Sequence, residues 1–471
     1  TCYPKLATYH FDGLATVMKF DFTDSGVSWA LQPYHSEAYD EFDRCIFFGN
    51  GVGPTLGREV CFTNPAVNLL PLNGQLWLTI DTASWGRVDA ETLATLPGKA
   101  KVPSMVLNAH PACDRQTGQC FVQHPCNKNK VVPLGDQACV SLLVTGAGAD
   151  ADIQAVEFGR ATLPRDKLIQ HSHSPCATQN FVVSKLDSCV PRSPLGAAER
   201  GGMLKLFHQG MDSTWLVMDR RTNATRVVAG NDSFVNNHFW NCFEDPSDGA
   251  IVVETVATTS AYLDMYFADV LAGDTDWASR FQQPLRCRLP PSGDAGVRCK
   301  PLSPAFGASA PFDYPTFNPL FKMRPYRFFY AIGPSSAHAA WFDRLIKVDV
   351  SDASGGRVAA SWSAPGVFLT EADFVPRANS TAQADEDDGV LVSVLYNAST
   401  DRSSLAVFDA TDLSLIGLAP PGGRVPFHAH GIVCRPGEPC FSNPSRAASP
   451  SRQREYIAFF ASITIMAPPW M

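Results

Sequence analysis

The stretch Arg424-Val425-Pro426-Phe427-His428-Ala429-His430-Gly431 carries one of four histidines around which the chain is organised. The other three, His110, His173 and His238, also stand in short segments flanked by strand patterns. All three lie far from His430 in the sequence. If the four imidazoles meet at one metal ion, nearly the whole chain must fold around that ion, which favours one closed domain with a metal on its axis.

Short strand patterns recur along the chain, and helix patterns are scarce. Each strand pattern is rich in Val, Ile, Leu and aromatic residues and is bounded by Gly, Asp, Asn or Pro. They lie at 15–22, 75–80, 141–145, 181–184, 214–219, 251–255, 326–332, 390–396 and 405–409. The best helix candidate is 260–271. Repeated short strands over this length predict an all-β propeller or a large sandwich, and no exact repeat is found.

No segment has the composition of a linker between domains. Loop-like residues gather at 287–312, 378–388 and 434–454, but strand patterns resume beside them and the spaced histidines straddle them. Residues 1–471 are therefore predicted to form a single domain.

The composition argues against several classes of function. The chain has 471 residues, of which 45% are hydrophobic and 18% charged, so it can bury a large core. A formal net charge of −8 and the lack of a basic arm argue against a nucleic-acid partner. No apolar stretch approaches the ~18 residues of a membrane-spanning helix.

Fourteen cysteines leave two interpretations open. The close pairs are Cys113 with Cys120, Cys287 with Cys299, and Cys434 with Cys440. Such pairs are compatible with hairpin-spanning disulfides, which would indicate an oxidising secretory or lumenal compartment. Free buried thiols would instead indicate a plastid or the cytoplasm. The localisation stays open between these alternatives, with the secretory or lumenal one favoured.

Eight short motifs rich in His, Asp, Glu and Pro follow one another along the chain. They are 10–13 (HFDG), 109–118, 173–181, 238–244, 314–319 (YPTFNP), 371–377, 386–391 and 424–431. Any one of them is weak evidence, but the ordered set covers nearly the whole chain. In that order they make the sequence resemble the carotenoid cleavage oxygenase family, which includes apocarotenoid- and stilbene-cleaving dioxygenases and a retinoid isomerase.

The resemblance implies a seven-bladed β-propeller that holds Fe(II) on its axis. The implied iron ligands are His110, His173, His238 and His430. Neutral imidazole suits ferrous iron, and four histidines leave coordination positions open for O2. His171 and His428 each stand two residues from an implied ligand, and the resemblance favours treating both as ordinary loop residues.

The family also orients its ligand rings with three glutamates. Here the implied positions are Asp81, Asp313 and Glu371, so two of the three carboxylates are one methylene shorter. A shorter carboxylate is expected to need a water bridge or a backbone shift to reach its histidine. Iron binding is nevertheless expected.

Two further departures from the family concern the ring and the membrane. The family has an N-terminal strand segment before the His-Phe-Asp-Gly turn that 1–471 lacks, so an open edge is expected if that segment closes the ring. Related enzymes carry an apolar, membrane-dipping segment in the region between Phe181 and His238. Residues 184–202 are polar and charged instead, so peripheral membrane contact has little support.

The implied function is an Fe(II)-dependent dioxygenase. It would cleave one C=C double bond of a carotenoid or apocarotenoid with O2, and release two carbonyl products. No catalytic residue beyond the metal ligands is expected, because most of the chemistry belongs to iron and oxygen. A stilbenoid substrate is the alternative within the family. A catalytically silent propeller that binds an apolar ligand is the alternative outside it, motivated by Asp81, Asp313 and the missing strand segment.

Overall fold

The computed structural model describes most of the chain. The described residues are 14–40, 64–102, 104, 107–126, 137–145, 152–163, 172–186, 212–259, 281–293, 295–302, 311–336, 339, 341–351, 356–377, 380–381, 383–419, 423–426, 428–434 and 454–464. The helix predicted at 260–271, the motif at 10–13 and His171 lie outside them.

Nearly all regular structure in these residues is β-strand. In chain order the strands are β1 Leu14–Thr23, β2 Gly26–Pro33, β3 Asn68–Leu72, β4 Gln75–Thr79, β5 Gly86–Val88, β6 Thr95–Leu96, β7 Ala100–Lys101, β8 Ala112–Asp114, β9 Gln119–Pro125, β10 Gln137–Thr145, β11 Ile153–Thr162, β12 Cys176–Ala177, β13 Phe181–Leu186, β14 Thr214–Asp219, β15 Thr225–Ala229, β16 Val235–Glu244, β17 Ile251–Thr258, β18 Phe281–Leu289, β19 Arg298–Pro301, β20 Asp313–Thr316, β21 Phe328–Gly333, β22 Arg344–Asp349, β23 Arg357–Ser363, β24 Val367–Pro376, β25 Gly389–Asn397, β26 Arg402–Asp409, β27 Leu415–Ala419, β28 His428–Cys434 and β29 Arg454–Thr464. The helices described are α1, Glu37–Asp40, and a 3-10 turn, Pro319–Phe321.

These strands form a seven-bladed β-propeller. From the axis outward the blades are β3 to β6 (blade 1), β8 to β11 with β7 added in parallel (blade 2), β12 to β15 (blade 3), β16 to β19 (blade 4), β20 to β23 (blade 5), β24 to β27 (blade 6), and β28, β29, β1, β2 (blade 7). From β8 through β12, β16, β20, β24 and β28 to β3, the innermost strands of successive blades contact one another, so they line the axis. The predicted propeller is confirmed, and each of the nine predicted strands overlaps an observed one.

Blade 7 joins strands from the two ends of the described chain. β1 pairs with β29 in an antiparallel register from Leu14 opposite Thr464 to Thr23 opposite Arg454. The open edge that the sequence predicts conditionally is therefore not found among the described residues. The prediction that 1–471 is a single domain stays a prediction.

Adjacent blades bury both faces of the middle strands, which explains their continuous apolar runs. All six residues of β13 are buried, and so are all eight of β17. The outermost strands are much more exposed, and none of the seven residues of β23 is buried. A large sandwich, the other fold that the sequence left open, would contain similar strands, because strand patterns by themselves do not specify how sheets are arranged.

Disulfides cross-link four places in the described structure. Two predicted pairs, Cys113–Cys120 and Cys287–Cys299, are bonded, and each spans a hairpin. Two unpredicted bonds are Cys126–Cys139 and Cys176–Cys242. Cys434 is also disulfide-bonded, and Cys440, its predicted partner, lies outside the described residues.

The described helices include none long and apolar enough to cross a membrane. Of the polar segment at 184–202, only residues 184–186 are described, and they belong to β13.

Candidate metal centre

The innermost strands bring the four predicted histidines together at the axis. His110 and His173 stand just before β8 and β12, whereas His238 and His430 lie within β16 and β28. The ring centroids of His110 and His430 are 4.3 Å apart, and those of His173 and His238 are 5.2 Å apart. One ring nitrogen from each histidine lies within 4.8 Å of the others. Residues from four different blades therefore share one potential coordination site.

Irregular strand pairing accompanies the site residues in four inner strands. The pairing register shifts on both sides of Phe239 in β16, between Asp313 and Thr316 in β20, between Leu369 and Ala372 in β24, and between His428 and His430 in β28. Such bulges break the strict alternation of a strand and redirect a side chain, and they are frequent next to active sites. They allow these strands to turn His238, Asp313, Glu371 and His430 towards one another.

The bulge in β28 separates His428 from His430. On a regular strand, residues i and i+2 point to the same face of the sheet. A bulge between them breaks this alternation, so the two side chains can point in different directions. His430 faces the other histidines, while the ring of His428 packs against Phe460 with centroids 4.3 Å apart. The interpretation of His428 as a loop residue is wrong, because it is a strand residue that is only 5% exposed.

Three of the four rings contact the predicted carboxylates. Nδ1 of His173 donates to Oδ2 of Asp81 at 2.8 Å, and Nδ1 of His238 donates to Oδ1 of Asp313 at 2.7 Å. Nδ1 of His430 lies 3.1 Å from both carboxylate oxygens of Glu371. Both aspartates reach their rings directly, so the water bridge expected for the shorter side chain is not needed.

Backbone amides explain how the carboxylates are held. Asp81 accepts a hydrogen bond from the N–H of Ala109 at 2.9 Å, and Asp313 accepts one from Tyr314 at 2.7 Å. Glu371 accepts from the N–H of Gly431 at 3.0 Å, and Asp313 also accepts from the side-chain amide of Asn237 at 2.5 Å. These donors fix each carboxylate beside its ring, and a carboxylate acceptor fixes the ring tautomer with its proton on Nδ1.

Neutral rings with this tautomer present the lone pair of Nε2 to the centre. Burial lowers the pKa of His110 well below its ordinary value, and repulsion from the other three rings lowers it further. Burial likewise lowers the pKa of His238, and brings that of His430 to about 3. The rings of His110, His238 and His430 are therefore uncharged at neutral pH, as metal binding requires.

The donor set fits a divalent metal ion. Among the described residues, Nε2 of His110 and Nε2 of His238 are buried without a hydrogen-bond partner, which costs roughly 1–3 kcal/mol for each atom. A metal ion between the rings would satisfy both. Nitrogens on opposite sides of an ion lie roughly 4.2 Å apart for bonds of about 2.1 Å, so the observed 4.8 Å requires only a small contraction.

Space remains beside the histidines for a small ligand. A cavity of about 200 Å³ is lined by His110, His238, His430 and Trp240, among others. Lys322 borders this cavity and also a second one of about 560 Å³. Four histidines occupy only part of an octahedral coordination sphere, so the site can accept further small ligands.

Some residues of the site were not predicted from the sequence. Asn237 supports Asp313, to which its side-chain amide donates a hydrogen bond at 2.5 Å. Lys322 reaches the cavity from the turn that follows Pro319–Phe321. No local pattern marks either residue: Asn237 acts on Asp313 of the next blade, and Lys322 borders a cavity that residues of several blades line. The buried Cys176–Cys242 bond was also missed, although a cysteine a few residues after each histidine was a usable signal.

Known proteins resemble this chain along most of its length. Residues 4–433 match the family model described as retinal pigment epithelial membrane protein. A carotenoid dioxygenase of Neurospora crassa is 23% identical over 401 residues, which cover 76% of this chain and 61% of that relative. The chain thus spans less than two thirds of the Neurospora protein. Carotenoid cleavage dioxygenase 8 homolog A of Oryza sativa is 26% identical, over 89% of this chain and 78% of its own.

Solved structures share the fold at low sequence identity. A lignostilbene dioxygenase of Pseudomonas brassicacearum superposes with a TM-score of 0.69 at 20% identity, covering 88% of this chain and 85% of that one. An apocarotenoid oxygenase variant of Synechocystis gives 0.65 at 18% identity, covering 89% and 92%. The family match spans nearly all of the propeller and all four clustered histidines. The chain therefore belongs to the retinal pigment epithelial membrane protein family, that is, to the carotenoid cleavage oxygenases.

Proposed function

We propose that the protein is a non-haem Fe(II) dioxygenase that cleaves one C=C double bond of a carotenoid or apocarotenoid with O2 and releases two carbonyl products. The observation that carries this proposal is the set of four clustered histidines at the axis, three of them supported by carboxylates. Family membership adds the reaction class. The hydrophobic polyene and O2 would be its substrates.

Each site residue has a defined part in this proposal. His110, His173, His238 and His430 would bind the iron through Nε2. Asp81, Asp313 and Glu371 would orient their rings and offset the charge of the ion. When bound, Fe(II) supplies the capacity to activate dioxygen. The protein contributes the fixed geometry, and no nucleophilic side chain is needed.

The curated relatives favour a carotenoid over a stilbenoid substrate. The Neurospora and Oryza proteins are named for carotenoid oxidation or cleavage, at 23% and 26% identity. The lignostilbene dioxygenase is similar at 20% identity, which supports the fold alone. The stilbenoid alternative is therefore kept as an outcome of the test.

The first test is metal binding followed by oxygen consumption. Anaerobic loading with Fe(II) should give about one iron per chain, and O2 uptake should follow addition of a carotenoid or apocarotenoid. His238→Ala should abolish both, because it removes a ligand nitrogen. His35→Ala is the matched control, since His35 is exposed, pairs with Asp40 and does not belong to the cluster; it should behave as the wild type.

Each other outcome points to a different conclusion. O2 uptake with a stilbenoid, and with no carotenoid, would make the substrate a stilbenoid. The proposed cleavage of a C=C bond with O2 would still hold. Stoichiometric iron without uptake for either substrate would favour a silent propeller that binds an apolar ligand. Persistent uptake in His238→Ala would contradict the assignment of the four histidines.

A further inference from the structure

Every histidine of the metal centre is followed, three or four residues later, by a disulfide-bonded cysteine on an inner strand. The pairs are His110 with Cys113, His173 with Cys176, His238 with Cys242, and His430 with Cys434. The separation is three residues in the first two pairs and four in the last two. Each ligand is thus a short distance along the backbone from a covalent cross-link.

Among the bonds with both cysteines described, one joins the inner strands of two blades directly. Cys176 belongs to β12 and Cys242 to β16, so the bond connects blade 3 to blade 4 across 66 residues of sequence. By contrast, Cys113–Cys120 connects β8 to β9 within one hairpin. Both half-cystines of the inter-blade bond line the 200 Å³ cavity beside the histidines.

The strand that follows His173 has little strand pairing to hold it. β12 is only two residues long, and it pairs with β13 only at Cys176 and Ala177. β16, which carries His238, has ten residues and pairs with β17 at both of its ends and at Phe239. A bond to β16 therefore fastens the short strand to a firmly held one.

Polar contacts between the same two blades lie on both sides of the disulfide. Nearer the histidines, Oγ of Ser174 donates to the carbonyl of Asn237 at 3.2 Å. Towards the other end, Oγ1 of Thr178 donates to Glu244 at 2.6 Å. The disulfide is thus a covalent link between the two blades, and it lies between two weaker polar contacts. The ring centroids of His173 and His238, which these blades carry, lie 5.2 Å apart.

We propose that the Cys176–Cys242 disulfide is a positioning cross-link of the metal centre: it fixes His173 relative to His238 and so strengthens metal binding. The inference rests on the proposed function only in requiring that the four histidines bind a metal. A metal site loses affinity when its ligands can move apart, because binding must then order them again.

The test compares two double variants with Co(II) as the probe, in the absence of O2. Cys176→Ala with Cys242→Ala should raise the Co(II) dissociation constant about tenfold or more, as removal of supports around metal ligands does. It should also change the visible absorption of bound Co(II), which reports ligand geometry. Alanine is chosen because serine or a free thiol would offer the ion a new ligand.

The matched control is Cys287→Ala with Cys299→Ala. That bond is also buried in part and also in blade 4, but it spans the outer hairpin β18–β19 and lines no cavity next to the histidines. The control should lower thermal stability while keeping the wild-type Co(II) affinity and spectrum. A purely structural role for Cys176–Cys242 would give the same result in both variants.

A second measurement uses the unaltered protein, in case the variant does not fold. Tris(2-carboxyethyl)phosphine reduces each disulfide to two thiols and is itself oxidised to its phosphine oxide with an oxygen atom from water. Iodoacetamide then caps the thiols, so that they offer the ion no new ligand, and mass spectrometry identifies which bonds have opened. Release of Co(II) should follow the opening of Cys176–Cys242 and not that of Cys287–Cys299. Full Co(II) retention with Cys176–Cys242 open, or unchanged affinity in the variant, would overturn the cross-link role alone. A wild-type protein that binds no Co(II) would overturn the metal centre as well.

Discussion

At the residue scale, Asp81 and Asp313 show how a shorter carboxylate serves the same position. Their contacts to His173 and His238, at 2.8 and 2.7 Å, are shorter than the 3.1 Å contacts of the longer Glu371 to His430. Backbone N–H groups of Ala109 and Tyr314 hold the aspartates in place. The shorter aspartate is sufficient because backbone N–H groups hold its carboxylate within hydrogen-bond distance of the histidine ring.

Replacing Asp313 by Asn should weaken Fe(II) binding by about 10–100-fold. The amide lacks the charge that favours the Nδ1 proton of His238, so the ring loses its fixed orientation. Anaerobic titration of the variant would measure the dissociation constant. Asp349→Asn is the control: Asp349 is equally buried but pairs with Arg327 and Arg357, so its loss should reduce stability and leave iron affinity unchanged. Equal affinity in Asp313→Asn and wild type would contradict the orienting role.

The metal-free protein should lose stability as the pH falls below about 6.5. The pKa of His430 is near 6.5 when unfolded and about 3 when folded, so the unfolded state binds an extra proton between these values. Stability therefore rises with pH across that window, by at most ~1.4 kcal/mol per pH unit for each such histidine. Urea unfolding of metal-free protein between pH 5 and 7.5 would measure the slope. His430→Gln should lower this slope of stability against pH. An unchanged slope would show that His430 is protonated or solvent-exposed in the folded protein and does not contribute to the pH dependence.

At the element scale, several motif residues that bind no metal connect neighbouring blades. Glu244, at the end of β16, accepts hydrogen bonds from the Thr178 hydroxyl at 2.6 Å and from the backbone and side-chain N–H groups of Asn180 at 2.8 and 2.7 Å. Glu386 similarly accepts from the backbone N–H groups of Arg327 and Phe328. The ordered motifs therefore mark both the metal centre and the contacts that keep the blades in register.

Glu244→Ala should lower the free energy of unfolding by about 2–4 kcal/mol, because three donors between blades 3 and 4 lose a charged acceptor. Chemical denaturation would measure the loss. Glu157→Ala is the matched control, since Glu157 pairs with Arg160 at the surface and such pairs contribute about 0–1 kcal/mol. Similar losses in the two variants would contradict the connecting role of Glu244.

At the scale of the whole molecule, pairing of β1 with β29 joins sequence-distant strands in blade 7. Phe460 in β29 is fully buried, and it packs against Phe20 of β1 and the ring of His428 in β28. The blade that carries His430 thus depends on strands from both ends of the described chain. Ring integrity and the metal centre are linked through this blade.

Phe460→Ala should destabilise the protein by about 3–5 kcal/mol, as loss of a buried phenylalanine does. It should also weaken metal binding, because β28 pairs with β29 on either side of His430. Urea unfolding and Fe(II) titration would measure both effects. Val27→Ala, in the exposed outer strand β2, should change neither by a measurable amount. A destabilised variant with full iron affinity would show that the site tolerates loosening of blade 7.

The amino-acid sequence by itself determined the strand-rich class, the four histidines and the three carboxylates, because residue type and ordered motifs are properties of the chain alone. Only the tertiary structure decided that Asp81 faces His173, 92 residues away, and that Cys176 bonds to Cys242, 66 residues away. It also decided that a bulge turns His428 away from His430. These outcomes depend on how blades pack and where strand registers shift, and no local pattern carries that information.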